Sequence, residues 1–157
     1  MTDVALRPIV DADLDALFDQ MRDPESVRMA AFTARDPDDR AAFDAHMAKL
    51  RSSADTTVLA ITRGGRLVGS IGHFVMEGDT EVTCWIDRAA WGQGVASRAL
   101  ALLLQDIDVR PVHARAASDN IGSLRVLQKA GFTIVGTEVA YARARDTEIE
   151  ETILRLG

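Results

Sequence analysis

Trp91-Gly92-Gln93-Gly94-Val95-Ala96-Ser97 decides how this chain is read, because it carries a β-rich run ending at Ile86-Asp87 straight into the apolar helical run 95–107. Glycine lets another group lie against bare backbone, and a helix start offers unpaired N–H donors at the positive end of its dipole. The stretch is therefore an anion seat. Asp87 stands before the turn and no lysine lies inside it, so the anion is held by main-chain amides rather than by side-chain charge. A diphosphate on a nucleotide-like carrier fits that description. No Lys-Ser/Thr follows the last glycine, which disfavours a magnesium-nucleotide loop, and the third glycine of a dinucleotide fingerprint is missing. The same glycines also serve a turn that only needs positive φ or tight packing.

Composition bounds the answer from outside. With 157 residues, 47% hydrophobic and 27% charged, the chain matches one ordinary domain with a proper core. A single domain over 1–157 is the expectation. The net charge of −6 argues against a nucleic-acid partner and mildly favours a cationic one such as an amine. No run of about 18 apolar residues occurs and no apolar leader opens the chain, so no membrane partner is expected and the cytoplasm is the expected compartment. The lone cysteine, Cys84, excludes an intrachain disulfide; it is expected as a small buried hydrophobe rather than a nucleophile. His46, His73 and His113 lack metal-ligand spacing, so no metal is expected.

Patterning along the chain yields a strand at 4–9, then a helix after Asp11 with Leu14, Leu17, Phe18 and Met21 inward and Asp13, Asp15 and Asp19 outward. Residues 22–35 lack a period, and read as a loop or short helix. Asp36-Pro37-Asp38-Asp39 opens a helix to about Arg51. Runs at 57–62, 67–75 and 81–86, separated by Gly64-Gly65 and Glu77-Gly78-Asp79, make an antiparallel meander. Helix 95–107 and strand 112–116 then form a crossover, which demands parallel pairing. Ser118 or Asp119 caps a helix over 120–130 closed by Gly131, and strands at 132–139 and 148–156 follow, separated by the polar loop 141–147. The last strand, 148–156, is free to pair across a two-fold axis, so a homodimer is admitted.

These residues resemble the GNAT acetyltransferase superfamily over nearly the whole chain. Trp91-Gly92-Gln93-Gly94-Val95-Ala96 is similar to its acyl-CoA pyrophosphate loop. Asn120-Ile121-Gly122-Ser123 through Lys129-Ala130-Gly131-Phe132 is similar to its second motif. Cys84-Trp85-Ile86-Asp87-Arg88 ahead of the turn looks most like the branch containing ribosomal-protein N-terminal acetyltransferases. The resemblance implies an α/β (α+β) fold: a mixed sheet of about six to seven strands splayed in the middle, with helices on both faces.

It also implies acetyl-CoA as co-substrate, wedged between strands 81–86 and 112–116, its pyrophosphate on the amides of Gln93, Gly94, Val95, Ala96 and Ser97 and its pantetheine along Trp85, Ile86 and Asp87. Asn120, Ser123 and Leu127 share a helix face that looks at the cofactor arm. Leu127 stands where many relatives carry a tyrosine that protonates the departing thiolate, so Ser123 inherits the thiol-contacting or general-acid role; its alternative is a bond back to a helix carbonyl. Trp91 stands where relatives place Arg or Gln and is expected to brace the loop. Arg98 is a candidate phosphate contact. An amine must lose a proton before it attacks the thioester, and Glu81 is the first choice to accept it, ahead of Glu77 and Asp87. Three functions stay open: N-acetyl transfer to a small amine or protein N-terminus, acyl-CoA binding without turnover, and nucleotide-dependent regulation.

Overall fold

Three β-rich runs over 56–86, separated by glycine turns, fold into two tight hairpins. Thr56–Arg63 (β2), Arg66–Met76 (β3) and Asp79–Ile86 (β4) run antiparallel. Gly64, Gly65, Glu77 and Gly78 make the two turns, all at positive φ. The computed structural model describes residues 3–34 and 36–157. Met1, Thr2 and Arg35, the last residue of the 22–35 segment, lie outside the described residues. Val4–Pro8 (β1), Val112–Ala117 (β5), Thr133–Ala142 (β6) and Thr147–Leu156 (β7) complete one seven-stranded sheet in the order β1-β2-β3-β4-β5-β7-β6.

The sheet is mixed, as the crossover demands, and β4–β5 is its parallel pair. Only Thr80 with Val112 and Glu81 with His113 are in register there. Beyond them β4 stays with β3 while β5 stays with β7, and the sheet opens into a notch. This is the splay expected from the family resemblance.

Helices cover both faces. Val95–Gln105 (α4) and Ile121–Lys129 (α5) enclose the main core, where Val95, Leu100, Leu103 and Leu127 meet Val68, Ile71, Val82 and Leu154. Leu14–Met21 (α1) and Arg40–Ser52 (α3) cover the other face, setting Leu17 and Met47 against Ile9 and Ala60. Each such Val, Leu, Ile or Met side chain contributes about 1.5–3 kcal/mol by leaving water. Pro24–Ala30 (α2) ends at Ala31, which packs with Ala117 and Ala142 at the far end of β5. No helix among the described residues is long and apolar enough to cross a membrane.

Several local expectations are corrected. Asp13 is buried, not on the solvated stripe: Arg7 donates to it at 2.7 and 2.8 Å, and the Val10 N–H at 2.9 Å. The cap of α5 is Asn120 rather than Ser118 or Asp119. Cys84 is exposed rather than a buried hydrophobe. The polar loop is shorter than read, since β6 runs on to Ala142 and a 3-10 turn over Arg143–Arg145 follows. Finally, β7 lies between β5 and β6, so the edge strand at that end of the sheet is β6.

Candidate active site

The glycine turn is braced by its own side chains and bare at its two glycines. Trp91 donates its indole N–H to the Ile86 carbonyl at 2.9 Å, the bracing expected of it. Gln93 donates through its amide to the Ala89 carbonyl at 3.2 Å and accepts from Arg63. Gly92 and Gly94 sit at φ 72° and 78°, and a Cβ on either would meet nothing within 4 Å. Gly94 is the N-cap of α4 and no side chain caps that end. Val95, 1% exposed, anchors the helix in the core. The N–H groups of Val95, Ala96 and Ser97 precede the first intrahelical bond, which Arg98 makes to Gly94, so they point out of the helix end toward the notch mouth.

Strand parity sorts the notch wall. The Asp87 N–H bonds the Val68 carbonyl at 2.8 Å, which makes 87/68 a hydrogen-bonded pair of the antiparallel ladder. Counting back, the backbone groups of Trp85, Thr83 and Glu81 also turn toward β3, while those of Ile86, Cys84 and Val82 turn toward the side where β5 has left. Of the triplet Trp85, Ile86 and Asp87, only Ile86 thus turns its backbone to the notch, its carbonyl there already receiving the Trp91 indole; Cys84, absent from the sequence reading of the site, turns its backbone there too. Trp85 instead crosses to α1, where its indole donates to the Gln20 carbonyl at 3.1 Å. The Cys84 side chain is open to solvent, yet the protein mass around the notch floor disfavours its thiolate and pushes the thiol from 9.0 up to about 12. That is the wrong direction for a nucleophile.

Glu81 stands at the apex, the last residue of β4 paired with β5. Its side chain is 7% exposed, and burial pushes its carboxyl above the ordinary range, opposed by Arg115, whose Nε lies 3.6 Å away. A carboxyl so placed is a better proton acceptor than an exposed one. The alternatives stand elsewhere: Glu77 is exposed in the β3–β4 turn, and Asp87 is about 20 Å along the strand, receiving the Ala89 N–H at 3.4 Å.

On α5, Asn120 accepts the Ser123 N–H at 3.3 Å and donates to the Met29 carbonyl at 3.4 Å, so it caps the helix and ties it to α2. Ser123 is half-buried, while Leu127 is 7% exposed in the main core. Arg98 is exposed in the first turn of α4. A pocket of about 280 Å³ between Asp3, Arg63, Asp87 and Gln93 lies behind the turn, away from Glu81. Among the described residues no group of three or more His, Cys, Asp or Glu is placed to hold a metal. Sequence reasoning missed Cys84 and Arg115: their signal is strand parity relative to a partner, which needs the register.

The family model described as acetyltransferase (GNAT) domain matches residues 3–133. The spermidine N-acetyltransferase of Vibrio cholerae, solved with CoA and spermine, is similar at TM-score 0.86 and 13% identity, over 99% of this chain and 96% of that one. RimJ of Mycobacterium smegmatis, solved with CoA-disulfide, is similar at TM-score 0.83 and 20% identity, over 98% and 81%. A ribosomal-protein-alanine N-acetyltransferase from Brucella melitensis is similar at TM-score 0.80 and 20% identity, over 96% and 98%. Likenesses at these identities establish a shared fold. Among curated protein sequences none matches significantly.

Proposed function

The chain belongs to the GNAT acetyltransferase family, and from that premise we propose that it transfers an acetyl group from acetyl-CoA to a primary amine on a small molecule or a protein N-terminus. One observation carries the reading: β4 and β5 part immediately after Glu81 and His113, and the slot so formed ends at an uncapped helix start behind two unobstructed glycines. The residues present fit such a carrier. Amides at Gln93 to Ser97 suit a pyrophosphate, and the outward backbone of Cys84 and Ile86 suits an extended pantetheine arm, added as a strand is added to a sheet edge.

Acetyl-CoA supplies an activated thioester. Glu81 accepts the amine proton, directly or through one water. An N–H of Cys84 or Ile86 faces the acyl oxygen, where a main-chain donor stabilises developing charge. Ser123, at the half-buried border of α5, gives its Oγ proton to the departing thiolate and regains one from solvent, matching the proton that Glu81 takes. Asn120 holds the first turn of α5 in place for that contact, and Trp85 ties the notch wall to α1.

The test is release of free thiol from acetyl-CoA across an amine panel, with calorimetry against CoA and ATP. Binding of CoA over ATP and thiol release with at least one amine are expected. Ser123→Ala should lower kcat about 100-fold while KM for acetyl-CoA is kept; unchanged turnover removes Ser123 from the reaction. The buried Leu127 supports a second reading, an acyl-CoA-binding module without turnover, since this position offers no proton. Tight CoA binding with no thiol release from any amine would favour it.

A further inference from the structure

Where the backbone ladder between β4 and β5 ends, a side chain takes over. Arg115 stands two residues beyond His113 on β5, hence on the same sheet face as Glu81. Its Nε lies 3.6 Å from Glu81, while its Nη1 reaches Glu138 on β6 at 3.0 Å and Glu151 on β7 at 3.4 Å. One guanidinium thus serves three carboxylates. Glu81 and Glu151 are 7% and 14% exposed and Glu138 is 57% exposed. Glu138 and Glu151 stand directly opposite in the β6–β7 ladder, a like-charge pair that needs a cation between them. The charged and titratable groups facing Glu81 are Asp79 on its own strand, His113 and Arg115 on β5, and Glu151 on β7. From β3 it meets Phe74, which is uncharged.

A buried carboxylate without a cation goes neutral and cannot take a proton; one locked in a tight bidentate ion pair is a poor base. Glu81 has the long arm of a shared cation, between those extremes. We propose that Arg115 is a positioning residue for Glu81: it holds the carboxylate at the apex of the notch and, by dividing its charge among three acids, leaves Glu81 ionised yet ready to accept a proton. This rests on the reading of Glu81 as the proton acceptor in acetyl transfer.

The experiment follows Glu81 in the whole protein by carbon-13 NMR of labelled glutamate carboxyls, assigned with Glu81→Gln, beside the pH profile of kcat/KM. Arg115→Gln should move the Glu81 titration and the acidic limb of the profile upward by about one pH unit or more. Arg115→Lys should restore most of that shift. Glu138→Gln, at an exposed site, should move both downward, because the guanidinium swings to Glu81 and a like charge is lost. A packing role alone changes kcat without opposite shifts from these substitutions. A Glu81 titration that stays put in both Arg115→Gln and Glu138→Gln overturns the proposal, even with transfer intact. Absence of thiol release with every amine overturns the functional reading instead, and the NMR titration still decides the role of Arg115.

Discussion

At the scale of single residues, the role proposed for Glu81 sets function against stability. Its folded-state carboxyl lies above the ordinary value because burial disfavours charge. Its favourable contribution to folding is therefore complete below about pH 4.3, the ordinary glutamate value, and is lost as pH rises through the raised folded value. Glu81→Gln should then raise the melting temperature at pH 7, with the gain vanishing near pH 4, while it lowers acetyl transfer. Scanning calorimetry at the two pH values checks this; a variant destabilised at pH 7 would show that Glu81 is held by its partners more than it costs in burial. Gly69 makes a steric claim of a different kind. A Cβ there would lie 2.2 Å from the Trp85 carbonyl oxygen, a backbone atom that cannot step aside alone. Gly69→Ala should cost about 1–3 kcal/mol in denaturant unfolding and weaken CoA binding, since the displaced strand is the notch wall.

At the scale of elements, three segments that sequence periodicity left apart are bolted together. Arg145, in the turn after β6, donates to both oxygens of Asp119 at 2.7 and 3.0 Å and to the Arg28 carbonyl at 2.6 Å. The Ala144 N–H bonds the carbonyl of Ala31, a residue at φ 67°. With Asn120 reaching Met29, the end of α2, the start of α5 and the β6–β7 turn form one rim. Arg145→Ala should raise KM for the amine several-fold while KM for acetyl-CoA is kept; equal loss of both would place Arg145 in general stability. Arg145 holds the Asp119 carboxyl below its ordinary value, so the clamp persists above about pH 3.9 and is lost as pH falls through the lower folded value. Helix α2 reads only as a loop or short helix because its seven residues, opened by Pro24 behind the Asp23 cap, are too few to show a period. Asp119 looks like a cap in sequence, but its carboxylate is spent on a cation 26 residues away.

At the scale of the whole molecule, β6 is a ten-residue edge on which Val135, Val139 and Tyr141 are exposed. Long apolar edges pair with copies of themselves unless charged or covered. Self-association through β6 is accordingly expected, and Val139→Lys should abolish it in sedimentation at micromolar concentrations; a wild-type monomer would exclude it. Much of the molecule was legible beforehand because its determinants are local. Two glycines before an apolar helix set a turn that leaves the first amides of α4 without a side-chain cap. Tight turns between β-rich runs specify a meander, and the crossover after Asp87 specifies a parallel pair. What tertiary structure alone decided was how far that pair stays zipped, which backbone groups face the gap, and which cation shares Glu81. Those depend on register between strands some 30 residues apart. Shifting a strand by one residue exchanges every inward and outward group without altering its composition, so no local pattern carries the answer.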